Sequence, residues 1–381
     1  MTRDVYYVAN IRLPNRRAHG LQLLRMIQAF KEIGVRLTLV VPKKGGGNPF
    51  DGDVISHRLK IVRLPVIDIF DDTSLGFNLS AISFMLSSFL YLLMKRLRGE
   101  RAVIYTIDLD QFSFCLLPLV GWPVFMEMHG SKQNRLPFRF FLKRVCGVVA
   151  VGEWTKRRVS EVFGIVDDRI MVFPNGVSDE FVKMDFNRAE ARRKLGLPAD
   201  RKICLYVGRI YDWKGLEILP EAASAIGSLA DIYLVGGEAA KFRRLTGRDL
   251  PDNLLVIRPA PEAEILEWLA AADVFLLTGT QADPYSYYET SPMKLMEYMA
   301  AHRPIIAART PAVESIVSER EVIFYEPDNG DDLGEKIKQA LSAGRGLEEM
   351  IKLSFEKAKN LTWSKRAEAI IKFIEVDANS L

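Results

Sequence analysis

The chain has 381 residues, 49% apolar and 26% charged, which excludes wholesale disorder and fibrous architectures and predicts two domains. Its 52 Lys and Arg against 48 Asp and Glu leave a net charge of +4, too balanced to argue for a nucleic-acid partner. The charge is unevenly spread, with basic residues prevailing over 1–178 and acidic ones over the remainder, so the two halves are expected to meet different partners. Cys115, Cys146 and Cys204 are odd in number, far apart and embedded in apolar runs, which reads as core residues in a reducing compartment. The opening MTRDVYYVAN carries charge where a signal peptide needs its apolar stretch, so a cytoplasmic location is expected.

Short β-branched and aromatic runs alternate with longer helix-period segments, and the alternation occurs twice. In the first half the strand runs are 5–10, 36–41, 59–64, 102–106, 123–128, 147–151 and 170–173, with helices predicted over 19–33, 80–98, 134–145 and 153–163. From Thr73 to Met94 no residue is charged, which is long enough for a membrane span. Ser80, Ser83, Ser87 and Tyr91 nevertheless share one helical face beside an apolar stripe of Ile82, Met85, Leu86, Phe89, Leu90 and Leu93, so a packed amphipathic helix is expected. After the turn signal Pro174-Asn175-Gly176 come a polar helical stretch and strand runs at 203–207, 232–235, 254–257, 274–277, 305–307 and 322–325. Helices are predicted at 214–227, 261–272, 291–301 and 311–318, followed by 348–360 and 363–374. Strands alternating with helices of this length predict α/β architecture: two doubly wound, Rossmann-like parallel-sheet domains facing across a cleft. The last helix, with Ala367, Ile370, Ile371 and Ile374 on one side, either covers its own domain or crosses back to the first.

Open α/β sheets bind ligands beyond the carboxyl ends of their strands, so the loops there hold the candidates. Gly20 opens the first helix and would let a phosphate approach backbone N–H groups. After 203–207, Arg209 and Lys214 flank a tight loop, a suitable pair for a diphosphate. Further on, Ser291 is a candidate N-cap with Pro292 at the first helical position, leaving the N–H groups of Met293 and Lys294 open to an anion. Glu289 lies ahead of that helix and Glu297 nearly two turns inside it. His129, beside Gly130 at a strand end, has the position to orient or protonate a ligand. Each also has a plain explanation: a helix entry, a solvated cation pair, a solvent-facing glutamate, a satisfied core histidine. Asp108 and Asp110 have the spacing of some metal–nucleotide sites but lack a His or Cys cluster beside them. There is no P-loop, GxSxG, HExxH or GxGxxG after the first strand.

Taken together and in order, Ala18-His19-Gly20, Met128-His129-Gly130, Phe173-Pro174-Asn175-Gly176-Val177, Tyr206-Val207-Gly208-Arg209, Lys214-Gly215 and the pair Glu289 and Glu297, separated by seven residues, resemble the retaining glycosyltransferases of family 4, whose two-domain fold is called GT-B. The resemblance implies an N-terminal acceptor-side domain over 1–176, a C-terminal nucleotide-sugar domain over 177–360, and a helix over 361–381 returning to the first, where Thr362-Trp363-Ser364 matches. It implies that Arg209 and Lys214 neutralise the departing diphosphate, Glu297 holds ribose hydroxyls, Glu289 holds sugar hydroxyls, Gly20 donates a backbone N–H and His129 sits by the reacting sugar. No metal or other cofactor is implied beyond the nucleotide-sugar co-substrate. The chain departs from the pattern in having a single glycine in the first loop and Thr290-Ser291-Pro292 after Glu289. The expected activity is transfer of a sugar to a hydroxyl acceptor in surface polysaccharide or glycolipid synthesis. Its rivals are a sugar-nucleotide epimerase of the same architecture and a non-catalytic sugar-nucleotide-binding subunit. Lys132, Arg135, Arg139, Lys143 and Arg144, interleaved with Phe138, Phe140 and Phe141, and the stretch 95–101 are expected either to form a solvated basic face or to touch an anionic membrane surface.

Overall fold

The computed structural model describes residues 4–13, 18–44, 59–69 and 73–378. The chain forms two compact units, residues 1–174 together with 363–381, and residues 175–362. The first holds β1 (Asp4–Val8), β2 (Leu37–Pro42), β3 (Lys60–Leu64), β4 (Ala102–Ile107), β5 (Val124–Met128), β6 (Gly147–Ala150) and β7 (Ile170–Val172). They make one parallel sheet in the order β3-β2-β1-β4-β5-β6-β7, with Val5 opposite Leu37 and Asp4 opposite Ala102. Side chains alternate between its faces. Tyr6, Val8, Ile104, Met126 and Val148 pack on one side against Phe84, Phe114, Phe138, Phe141 and Phe163. Tyr7, Tyr105 and Phe125 meet Phe30 and Phe373 on the other. Phe373 belongs to the last helix, Trp363–Ala378, which therefore packs on the first unit beside the helix Ala18–Glu32. A Cβ on Gly147 would stand 2.6 Å from the Phe373 ring, so this helix approaches β6 closely only because residue 147 is glycine.

The second unit holds β8 (Lys202–Val207), β9 (Ala230–Val235), β10 (Leu254–Ile257), β11 (Val274–Leu277), β12 (Ile305–Ala308) and β13 (Ile323–Tyr325), parallel and ordered β10-β9-β8-β11-β12-β13. Ile203, Leu205 and Val207 serve one core layer, and Cys204 and Tyr206 the other. Two helices escape the sequence pattern, Ala239–Thr246 and Gly330–Ser342. The former buries only Phe242 and so shows no apolar stripe. The latter does carry readable signals, an Asn329 cap with Leu333, Ile337 and Ala340 at helical spacing.

The helix after residue 73 packs only in part as expected: Met85 and Phe89 of its apolar stripe lie against the core, but half of the stripe does not. The helix begins at Ser74, capped by Thr73, whose hydroxyl accepts the Gly76 N–H at 3.0 Å, and runs to Leu97. Its buried residues are Gly76, Ser80, Ala81, Phe84, Ser88 and Leu92, whereas Ile82, Leu86 and Leu90 of the apolar stripe face solvent. Three serine hydroxyls of this helix find carbonyl partners, while that of the buried Ser80 has none among the described residues. Ser88 donates to the Met85 carbonyl at 3.1 Å, Ser83 to that of Ser80 at 2.9 Å, and Ser87 to that of Pro65 at 2.7 Å. The three cysteines are free, with Cys115 and Cys204 buried.

Candidate active site

In the second unit, β9 lies on one side of β8 and β11 on the other, so the loops after β8 and β11 diverge at a topological switch point, where open sheets bind ligands. Gly215 there has a left-handed backbone (φ 62°), and a Cβ on it would stand 2.6 Å from the Gly279 carbonyl oxygen. The two loops meet because residue 215 has no side chain. Gly236 after β9, at φ 124°, allows an equally close approach to the Gly208 carbonyl, and the glycine pair Gly236-Gly237 at the strand end is the sequence signal for it.

Arg209 is exposed at the end of β8, and Lys214 ends the short turn Asp212–Lys214. The Lys214 ammonium lies 5.4–5.9 Å from the centres of the Tyr206, Tyr211 and Trp213 rings. Burial, with the like charges of Lys294 and Arg209, brings its pKa down to about 8. No carboxylate among the described residues closes an ion pair with it. Trp213 also packs edge-on against Tyr285, with centroids 5.1 Å apart, which ties this loop to the segment carrying Glu289.

That segment is a π-helical turn, Tyr285–Glu289, rather than the plain loop expected. The Thr290 N–H donates back to the Tyr285 carbonyl, and the Ser286 hydroxyl accepts the N–H of Thr280 at 3.1 Å, pinning the turn beyond β11. Isolated π turns recur at functional sites, and this one leaves Glu289 half-buried at its end. The next helix, Met293–Ala300, is tied to the sheet because Tyr298 stacks on Phe275 and its hydroxyl accepts the Val207 N–H at 2.8 Å. Met293 and Lys294 occupy its first turn. Lys294 lies 2.5 Å from Glu297 Oε2, so it fixes the carboxylate while adding a third cation near Lys214.

Ser291 requires a correction. The cap position falls on Pro292, and the Ser291 hydroxyl instead accepts the Asn175 N–H at 2.9 Å, while its carbonyl accepts from Asn175 Nδ2 at 2.8 Å. A proline at the cap has no side-chain acceptor to offer, and the serine before it is too early to reach the helix N–H groups. Asn175, in the Pro174-Asn175-Gly176 turn, thus braces the start of this helix, a role the local sequence did not reveal.

The first unit gathers a different cluster. His129, after β5, places Nε2 2.6 Å from Glu127 Oε1, and its backbone N–H donates to Asp108 Oδ2 at 3.1 Å. Asp108 also pairs with Lys132 at 3.0 Å. Glu127 is 2% exposed, accepts from the Tyr105 hydroxyl at 2.6 Å and lies 2.9 Å from Arg366 Nη2. Burial alone would raise the Glu127 pKa, but Arg366, His129 and Tyr105 hold it far below the ordinary carboxylate range. With Glu127 on Nε2, the other ring nitrogen of His129 is the one left for a ligand. Neither Glu127 nor the fully buried Arg366 was singled out in the sequence. Asp110 is structural, accepting the N–H groups of Phe112 and Ser113 and the Asn10 amide. Gly20 is buried in the first turn of Ala18–Glu32. Among the described residues no cluster of His, Cys, Asp or Glu is fit to hold a metal ion.

Comparison with known proteins matches both units. Residues 20–181 fit the family model for Glycosyltransferase Family 4, and residues 187–357 that for Glycosyl transferases group 1. A Bacillus subtilis (strain 168) protein described as a teichuronic acid biosynthesis glycosyltransferase is 28% identical over 226 residues, 56% of this chain and 54% of that protein. The D-inositol 3-phosphate glycosyltransferase of Acidothermus cellulolyticus is 29% identical over 184 residues, 44% of this chain and 39% of its own. The chain thus spans about half the length or less of these curated relatives. Solved structures resemble it throughout. A Rickettsia africae glycosyltransferase superposes with TM-score 0.76 at 16% identity over 99% of both chains. Anabaena HepE in complex with UDP gives 0.76 at 14% identity over 98% of this chain and 100% of its own. With both family models matched in order and this fold beneath them, the chain belongs to the family 4 glycosyltransferases of GT-B architecture.

Proposed function

We propose that the protein is a retaining transferase that moves a sugar from a nucleotide-diphosphate sugar to a hydroxyl acceptor in surface polysaccharide or glycolipid synthesis. The observation that carries the donor reading is the concentration of positive charge at the β8–β11 switch point. Arg209 and Lys294 both lie within electrostatic reach of Lys214, and Lys214 has no carboxylate partner among the described residues. Such a set suits a diphosphate whose charge grows as the sugar departs, and the Met293 and Lys294 N–H groups add dipole at the same place. Glu297, fixed by Lys294 through one oxygen, keeps the other for ribose hydroxyls, and Glu289 takes the sugar hydroxyls. In the first unit Gly20 gives a backbone N–H and His129 attends the reacting sugar. Three cations and a helix start supply the charge that a divalent metal would otherwise bring, so the reaction needs no metal.

Relatives named for teichuronic acid and for D-inositol 3-phosphate support a hydroxyl-bearing, anionic acceptor class. We place the enzyme in the cytoplasm, with the basic first unit as acceptor side in peripheral contact with the inner membrane face.

The test is a thermal-shift panel of UDP, GDP, ADP, dTDP and CMP in chelator, followed by turnover with the sugar nucleotides of the base that binds. A nucleoside diphosphate at 100 times its Kd stabilises by about 2.7 kcal/mol. The shift is expected to vanish in Arg209→Ala and Glu297→Ala, while Glu289→Ala binds but turns over poorly. No shift with any base in the wild type would overturn the donor reading. An acceptor-free conversion of the donor would make the enzyme an epimerase, and an anomeric proton of inverted configuration in the product would refute retention.

A further inference from the structure

The helix Ser74–Leu97 leaves part of its apolar surface uncovered on the first unit. Leu75, Ile82, Leu86, Leu90, Met94 and Leu97 are 61, 44, 48, 55, 50 and 78% exposed, and their spacing keeps them on one helical face about 33 Å long at 1.5 Å per residue. The loop after β3 widens it. Ile67 and Ile69 are half-exposed, and this loop is bound alongside the helix by the Ile67 N–H to Ser83 Oγ (2.9 Å) and Ser87 Oγ to the Pro65 carbonyl (2.7 Å). A continuous apolar surface of this extent marks an interaction site.

Cations border it. Lys95, Arg96, Arg98 and Arg101 follow at the helix end, Lys95 held by Glu100 and Arg98 and Arg101 exposed. The helix Leu136–Leu142 packs into the same core layer as Phe84 through Phe138 and Phe141. It presents Leu136 at 81% exposure, Phe140 with the Arg144 guanidinium 3.7 Å from its ring centre, and Arg139. No acidic residue falls between 73 and 94.

We propose that this face docks on a bilayer carrying anionic lipids, with the Leu75–Leu97 stripe lying in the membrane plane at the headgroup–acyl boundary and the flanking Lys and Arg side chains on the phosphates. The proposal deepens the peripheral-membrane reading above and gives it an inserting element. An apolar face with a cationic margin matches acyl chains beneath anionic headgroups. A transmembrane course would require withdrawing Phe84 and Leu92, both fully buried, from the sheet.

The full chain is floated with vesicles of phosphatidylcholine, with and without phosphatidylglycerol, at low and raised salt. The wild type is expected to float with the anionic vesicles and to retain part of its binding at raised salt. The pair Leu86→Ser and Leu90→Ser is expected to lower partitioning at least about tenfold, equivalent to ~1.4 kcal/mol, without changing the melting temperature. Arg139→Gln with Arg144→Gln is expected to lose the salt-sensitive part. Absence of flotation with anionic vesicles at low salt, or equal flotation of the Leu86→Ser and Leu90→Ser variant, overturns the proposal. So does a dimer seen by light scattering that the same pair dissociates, or resistance of the chain to carbonate extraction from cell membranes. The nucleotide shift is read on the same samples: its persistence without flotation removes the membrane face alone, and flotation without it removes the donor reading alone.

Discussion

The charged clusters of the two units are built on opposite plans. In the first, Glu127 is enclosed by Arg366, Tyr105 and His129, and Asp108 by Lys132, so each carboxylate of the cluster is answered within it. In the second, Glu297 answers Lys294, but Lys214 has no carboxylate partner among the described residues, and its pKa drops because burial and the charges of Lys294 and Arg209 disfavour its own. Compensated charges hold a fold in place, whereas an excess of one sign at a strand's carboxyl end leaves room for a ligand of the other. Mutation is therefore expected to act mainly on stability in the first cluster and on ligand binding in the second.

The strongest test removes Arg366. Arg366→Met strands a buried carboxylate and is expected to destabilise the first unit by about 3–5 kcal/mol. At about 2–4 °C per kcal/mol for a unit of this size, the melting temperature should fall by about 6–20 °C. Because the Glu127 pKa is depressed in the folded state, its stabilisation is whole above the ordinary value of 4.5 and fades as pH falls below it, so melting measured against pH should show the deficit shrinking in acid.

Lys214→Met should do the reverse, leaving melting unchanged or slightly raised while lowering turnover about 10²–10³-fold, as for loss of one stabilising contact to developing charge. Since the Lys214 ammonium titrates at about 8, wild-type nucleoside-diphosphate affinity should weaken as pH rises through that value, by up to about tenfold per unit. Calorimetric titration from pH 7 to 9 checks this, and the slope should flatten in Lys214→Met. An unchanged slope would mean that another group carries it.

A smaller effect separates bracing from binding inside the second unit. Asn175→Ala removes the amide donor to the Ser291 carbonyl and should cost about 1–3 kcal/mol in a denaturant titration. A contrast that ends in the smallest single effect lies along one helix of the first unit. Phe84→Ala should cost about 3–5 kcal/mol, whereas Leu86→Ser, two residues on and 48% exposed, should stay within about 0.5 kcal/mol. A large loss at Leu86 would show that the stripe is covered within the chain.

Local sequence determined much of this protein. A parallel strand buried on both faces reads as an unbroken apolar run, so each strand of both sheets announced itself between helical periods. Because ligands gather at strand ends, Arg209, Lys214, Glu289 and Glu297 were legible as candidates from position alone. Tertiary contact decided the rest. A stripe of serines beside a stripe of leucines defines two faces of a helix but not which one the sheet covers, since a serine such as Ser88 that donates to a carbonyl of the preceding turn can pack inward. Likewise Ser291 turned from cap to anchor because Asn175 reaches it, and Glu127 became the most enclosed carboxylate of its cluster because Arg366 arrives on the last helix. In each case the partner lies far along the chain, where neither propensity nor spacing carries its signal, and only the folded core brings it within bonding distance.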